Sequence, residues 1–122
     1  MSKVVLIAGK NGIILAILEY LVKNATAKEW SHIITTLRSP FKTTVHDYRI
    51  GFIALDFSVA PNTVAEKMRS VCSSVTHAYF SFYIHKDDFT ELNKANKALF
   101  GNFIDALITV APNLESCTLQ IF

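Results

Sequence analysis

The chain has 122 residues, 51% of them hydrophobic and 18% charged, with 4 glycines and 3 prolines. That is the length of one domain with a core of its own, and the composition excludes a disordered, collagenous or low-complexity chain. A net charge of +2 supplies no basic stripe of the kind a nucleic-acid surface needs, so no nucleic-acid partner is expected.

In chain order, Lys3–Ala8 is a short β-branched apolar run bounded by glycine and reads as a buried parallel strand. Gly9-Lys10-Asn11-Gly12 then interrupts the apolar sequence with two glycines and a charge. Neither a continuous secretory core nor the roughly 20 apolar residues of a spanning helix is present, so a cytoplasmic protein without a membrane partner is expected. From Ile13 the spacing Ile14, Ile17, Leu18, Leu21 is that of an amphipathic helix ending near Asn24. Ser31–Leu37 is a second strand, and residues 41–48 form a polar loop. Ile50–Phe57 is a third strand with Asp56 near its end. Pro61-Asn62-Thr63 opens a helix, with Thr63 and Glu66 spaced as a capping box and Val64, Met68 and Val71 as the inner face. Thr76–Tyr83 is a fourth, aromatic strand. Asp87-Asp88 start a long helix with Leu92, Ala95, Leu99, Phe103, Ala106, Leu107 and Val110 on one side, stopped by Pro112-Asn113. Ser116–Phe122 is the fifth strand. Cys72 and Cys117 lack any C-x-x-C or metal spacing and are expected as separate thiols, with no metal site.

Strands alternating with amphipathic helices define an α/β fold. We expect a single Rossmann-like domain over residues 1–122, with a parallel sheet of about five strands in the order 3-2-1-4-5 and its switch point between the first and fourth.

The turn Gly9-x-x-Gly12 follows the first strand and opens the first helix. Glycines there let backbone N–H groups approach a pyrophosphate at the positive end of the helix. The third glycine of such a fingerprint would fall at position 15, where Leu15 should push the helix outward or shift it. On spacing alone, a simple strand-to-helix turn fits equally well. Arg38, after Thr36-Leu37 at the end of the second strand, suits a 2′-phosphate and so NADP over NAD. Asp56 can accept from an adenine amine or cap its own loop.

These segments resemble the short-chain dehydrogenase/reductase superfamily. More narrowly, they resemble the atypical extended branch that includes progesterone 5β-reductase and iridoid synthase, with fungal relatives. The resemblance is carried by Val5-Leu6-Ile7-Ala8-Gly9-Lys10-Asn11-Gly12-Ile13, Glu29-Trp30, Arg38-Ser39-Pro40, Phe52-Ile53-Ala54-Leu55-Asp56 and Val75-Thr76-His77-Ala78-Tyr79-Phe80. Asn96, Asn102, Asn113-Leu114 and Leu119-Gln120 extend it. It implies that Gly9, Lys10, Asn11, Gly12 and Ile13 line a pyrophosphate, that Arg38 and Ser39 meet the 2′-phosphate of NADP, and that Asp56 and Phe57 flank adenine. Tyr79, Phe80 and Ser81 would face the ribose and nicotinamide. In that family the strand bearing Leu-Gln leads on to the catalytic Lys and Tyr. Here Ile121-Phe122 follow Gln120 and no Tyr-x-x-x-Lys occurs, so the sequence reads as truncated before the catalytic pair.

The richest polar and aromatic segment is 77–88. Strand alternation puts His77, Tyr79, Ser81 and Tyr83 on one face, with His85 and Asp87 in the following loop. Tyr79, Tyr83 and His85 are the candidate acid–base groups, against a reading as core aromatics with a solvated helix cap. An uncovered fifth strand, or a helix face bearing Phe100, Phe103 and Leu107, would pair two copies into a homodimer. Three functions follow: non-redox isomerisation or cyclisation of a small hydrophobic metabolite, a non-catalytic NADP- or partner-binding module, or a remnant that still folds.

Overall fold

The computed structural model describes residues 3–9, 11–24, 29–37, 47–57, 59–81 and 87–119. Five strands and three helices follow one another as β1 (Lys3–Ala8), α1 (Asn11–Asn24), β2 (Trp30–Leu37), β3 (Ile50–Ala54), α2 (Pro61–Cys72), β4 (His77–Phe80), α3 (Phe89–Val110) and β5 (Ser116–Leu119). The strands form one sheet in the order β3-β2-β1-β4-β5. Every pairing is parallel, with Ala8 of β1 opposite both Thr36 of β2 and Phe80 of β4. This is the α/β Rossmann-like architecture expected from the alternation of strand and helix periods.

Strand alternation sends the apolar side chains of β1 to both faces. Val5 and Ile7, with Ile33 of β2, meet Ile14 and Leu18 of α1. Val4, Leu6 and Ala8 face the other way, where they join Ile34, Ala78 and Phe80 under α2 and α3. That second face holds the larger core. Phe103 of α3 lies 4.7 Å from Phe80 and 5.1 Å from Phe57, ring centre to ring centre, the latter edge to face. Each such aromatic pair contributes about 0.5–1.5 kcal/mol beyond its burial.

Several expected boundaries shift. β3 stops at Ala54, because Leu55 and Phe57 turn into the α2–α3 core as buried plugs instead of continuing the ladder. β4 stops at Phe80. α2 starts at Pro61, a residue whose fixed φ and missing N–H suit the first helical position. Thr63 therefore sits inside the helix, and the expected capping box with Glu66 does not form; Ala60 precedes the helix without a side-chain cap. The inner face of α2 is Val64, Ala65, Met68 and Cys72, whereas Val71 is 40% exposed. α3 begins as expected, with the Asp88 carboxylate accepting from the Thr90 N–H. The suggested dimer face on α3 is overturned: Phe103 and Leu107 are fully buried in the chain's own core, and Phe100 packs against it. Both cysteines are free thiols, and burial pushes Cys72 up to about 11. Among the described residues no helix is long and apolar enough to cross a membrane.

Candidate functional site

The strand order places a switch point between β1 and β4, and the carboxyl ends of those strands define the crevice where open α/β sheets take ligands. Gly9 follows β1 there. None of the described glycines has positive φ, so Gly9 is not required by backbone conformation. A Cβ at this position would meet Ser81 Oγ, the end of a side chain, so the hydroxyl would have to move to admit one. Ser81 is fully buried just beyond β4, donates its backbone N–H to Ala8 O at 2.8 Å, and directs its hydroxyl at the same oxygen at 3.4 Å.

α1 runs for 14 residues from Asn11 and has no acidic residue in its first turn, so no carboxylate of that turn opposes an anion at its positive end. The helix is seated by Ile14 and Leu18, both fully buried, while Leu15 is half-buried. The leucine at the third fingerprint position therefore lies beside the packing seam and leaves the helix in contact with the sheet.

One strand away, Thr36 ends the pairing of β2 with β1. Its side chain is fully buried, and Oγ1 has no hydrogen-bond partner. A buried hydroxyl without a partner costs about 1–3 kcal/mol, so it marks either strain or a place for a ligand. The neighbouring Thr35 hydroxyl, on the opposite face, donates to Gly51 O at 3.1 Å. Asp56 follows β3 and is half-buried between the fully inserted Leu55 and Phe57. Tyr79 is half-buried on β4 and packs against the α1-side core, opposite Ile7 of β1.

The structure thus brings Gly9, the start of α1 with Asn11, Gly12 and Ile13, Thr36, Asp56 and Ser81 to one end of the sheet. Lys10, Arg38, Ser39, Tyr83 and His85 lie outside the described residues, as do the side chains of Asn11, Gly12 and Ile13. Ser81, one residue past β4, continues the bonding of β4 to β1 and lies against Gly9. Sequence reasoning missed that contact and the orphaned Thr36 hydroxyl. A hydroxyl residue at the end of an apolar strand was the only available signal for either. No group of three or more His, Cys, Asp or Glu suited to a metal occurs among the described residues.

A parallel five-stranded sheet with a glycine turn at its switch point is the nucleotide-binding architecture of the dehydrogenases. Comparison with known proteins narrows this. The chain is 54% identical over 121 residues to the short chain dehydrogenase gsfE of Penicillium aethiopicum, an overlap of 98% of this chain and 32% of that protein. It is 31% identical over 83 residues to a 3-oxo-Delta(4,5)-steroid 5-beta-reductase of Arabidopsis thaliana, covering 68% of this chain and 21% of that enzyme. No family model matches the chain. The chain belongs to the short-chain dehydrogenase/reductase superfamily, and it spans about a third of the length of the first relative and about a fifth of the second.

Proposed function

We propose that this chain binds NADP at the carboxyl end of its sheet, as the nucleotide-binding portion of a short-chain dehydrogenase-like protein. The observation that carries the reading is the junction at the switch point. Gly9, packed against the Ser81 hydroxyl at the end of β1, is followed by α1, whose first turn carries no acid. Gly9, Lys10, Asn11, Gly12 and Ile13 would hold the pyrophosphate through backbone N–H groups. Arg38 and Ser39 would meet the 2′-phosphate, and Asp56 the adenine. The orphaned Thr36 hydroxyl, at the end of the strand between these two groups, fits a ligand that brings its own polar atoms. When bound, the reduced nucleotide supplies a hydride. The residues of this chain bind and orient it, and the 122 residues contain no Tyr-x-x-x-Lys acid pair.

A second reading keeps the crevice without the nucleotide: isomerisation or cyclisation of a small hydrophobic metabolite, with Tyr79, Tyr83 and His85 as acid–base groups. The half-buried Tyr79 beside an apolar cluster favours it. Thermal unfolding with NADPH, NADP and NAD separates the two. A nucleotide at 100 times its dissociation constant adds about 2.7 kcal/mol of stability. The expected result is stabilisation by NADPH and NADP above NAD, with the preference lost in Arg38→Ala. No stabilisation by any of the three removes the nucleotide reading.

A further inference from the structure

We propose that Asn102 is a positioning residue for adenine recognition. From the middle of α3 it clamps the loop after β3 and so fixes the backbone that carries Asp56. The inference rests on the nucleotide reading above and adds to it a residue far from the phosphate turn.

Both donors of one amide are used. Asn102 Nδ2 donates to Phe57 O at 2.8 Å and to Val59 O at 3.1 Å, two carbonyls from a segment that belongs to neither β3 nor α2. Carbonyls outside strands and helices are satisfied by side chains or water, and here one side chain serves both. Within the segment, Val59 N reaches Asp56 O at 3.5 Å. The next residue on α3, Phe103, is fully buried against Phe57, which is itself 3% exposed. Two consecutive residues of one helix therefore hold one loop in two ways: Phe103 packs its ring, and Asn102 binds its backbone.

Asp56 sits within that grip. Leu55 before it and Phe57 after it are both inserted in the core, so the backbone at Asp56 is fixed on each side. Packing alone would not hold the far end of the loop, because Val59 is 40% exposed and contributes little apolar anchoring. The amide supplies that restraint. Asparagine is a poor residue for a helix interior, where leucine or alanine is preferred. In the 22-residue α3 its place is explained by the tertiary bonds it makes.

The test measures nucleotide discrimination in the full chain. Titration calorimetry compares NADP with its hypoxanthine analogue, in which a 6-oxo acceptor replaces the 6-amino donor that a carboxylate would bind. The wild-type chain is expected to prefer NADP about tenfold, one charge-assisted hydrogen bond. In Asn102→Leu, and in Asn102→Asp, which keeps the shape but loses the donors, the preference falls to within twofold. Affinity for the hypoxanthine analogue stays within twofold of wild type, because the Gly9 turn is untouched. Amide exchange at Val59, measured without ligand, accelerates at least tenfold in both variants. A retained preference, an equal loss of both ligands, or no preference in the wild type overturns the proposal. Unchanged exchange at Val59 overturns the clamp alone, whereas a wild-type chain that binds neither nucleotide overturns the functional reading beneath it.

Discussion

The two ends of the sheet are built differently. At the amino end, polar groups are paired in depth. Arg49, just before β3, is 5% exposed and grips Asp47 with Nε at 2.8 Å and Nη2 at 3.1 Å, while Nη1 donates to Trp30 O at 3.3 Å. The Arg49 backbone N–H also donates to Asp47 Oδ1, at 2.9 Å. Thr76 Oγ1 accepts from Val4 N–H at 3.0 Å and lies 2.8 Å from His77 Nδ1, whose ring meets Trp30 edge-on. At the carboxyl end, among the described residues, the pairing is mixed: Asn102 Nδ2 donates to Phe57 O at 2.8 Å and to Val59 O at 3.1 Å, but other groups are less well served. Thr36 Oγ1 is buried without a partner, Ser81 Oγ reaches Ala8 O only at 3.4 Å, and Gly9 gives up its side chain altogether. Buried polar side chains are normally satisfied, and among the described residues the exception, Thr36, lies at this end. That end is also where the topology places ligands in α/β sheets.

The sharpest way to break this contrast is to put a side chain where the carboxyl end excludes one. Gly9→Ala should cost about 1–3 kcal/mol in urea unfolding, the usual penalty for forcing a methyl group into a packed site. The atom in the way is the end of a side chain, not backbone, so Ser81→Ala should relieve the clash. The double variant is expected to recover most of the loss, giving a positive coupling between residues far apart in sequence. If Gly9→Ala and the double variant lose the same amount, the glycine is required for another reason.

The amino end should show itself in acid. The Arg49 guanidinium holds the Asp47 carboxyl below its usual range, through the side-chain hydrogen bond first and the backbone N–H second. The same carboxylate raises Arg49, which is charged at every accessible pH and contributes no titration. A carboxyl depressed in the folded state adds stability that is fully present above its unfolded value, near pH 4, and is lost as pH falls through the lower folded value. Asp47→Asn should lower stability at pH 7 and flatten the stability profile below about pH 4. An unaltered acid limb in the variant would assign acid unfolding to other carboxylates.

The two ends were also unequally legible in the sequence. Helix faces follow from apolar periodicity, which is local, and Ile14 with Leu18 or Leu99 with Phe103 could be read directly; the strand order came from the topology rules of α/β folds. The ends of β1, α1 and β2 could be read too, but those of β3 and β4 could not. Leu55 and Phe57 have the composition of a strand and serve as plugs, a choice made by the cavity between α2 and α3 that no local window contains. The amphipathic face of α3 was visible, but periodicity does not say whether a face meets its own sheet or a partner. Phe103 and Leu107 were thus mistaken for an interface when they are core. At the site, Gly9 was legible as a turn glycine, while its reason, Ser81, is a contact between strand ends. Asn102 was noticed only through family resemblance, because its role is written in two carbonyls of a distant loop.

The smallest expected effect tests the carboxyl end most directly. Thr36→Val keeps the shape of the side chain and replaces an unpartnered buried hydroxyl with a methyl group. Valine also suits a strand, and the position lies in a parallel ladder between Ala8 and Ile53. Without ligand the variant should gain about 1 kcal/mol, because a desolvated group with no bond to lose is removed. With NADP present the gain should shrink, since a hydroxyl kept at the cost of stability is kept for a bond it makes when the ligand arrives. The measurement is the difference in melting between free and nucleotide-saturated protein, in wild type and variant. A loss of stability in the free variant would mean that the hydroxyl is already bonded in solution, and the contrast between the two ends would then disappear at its clearest point.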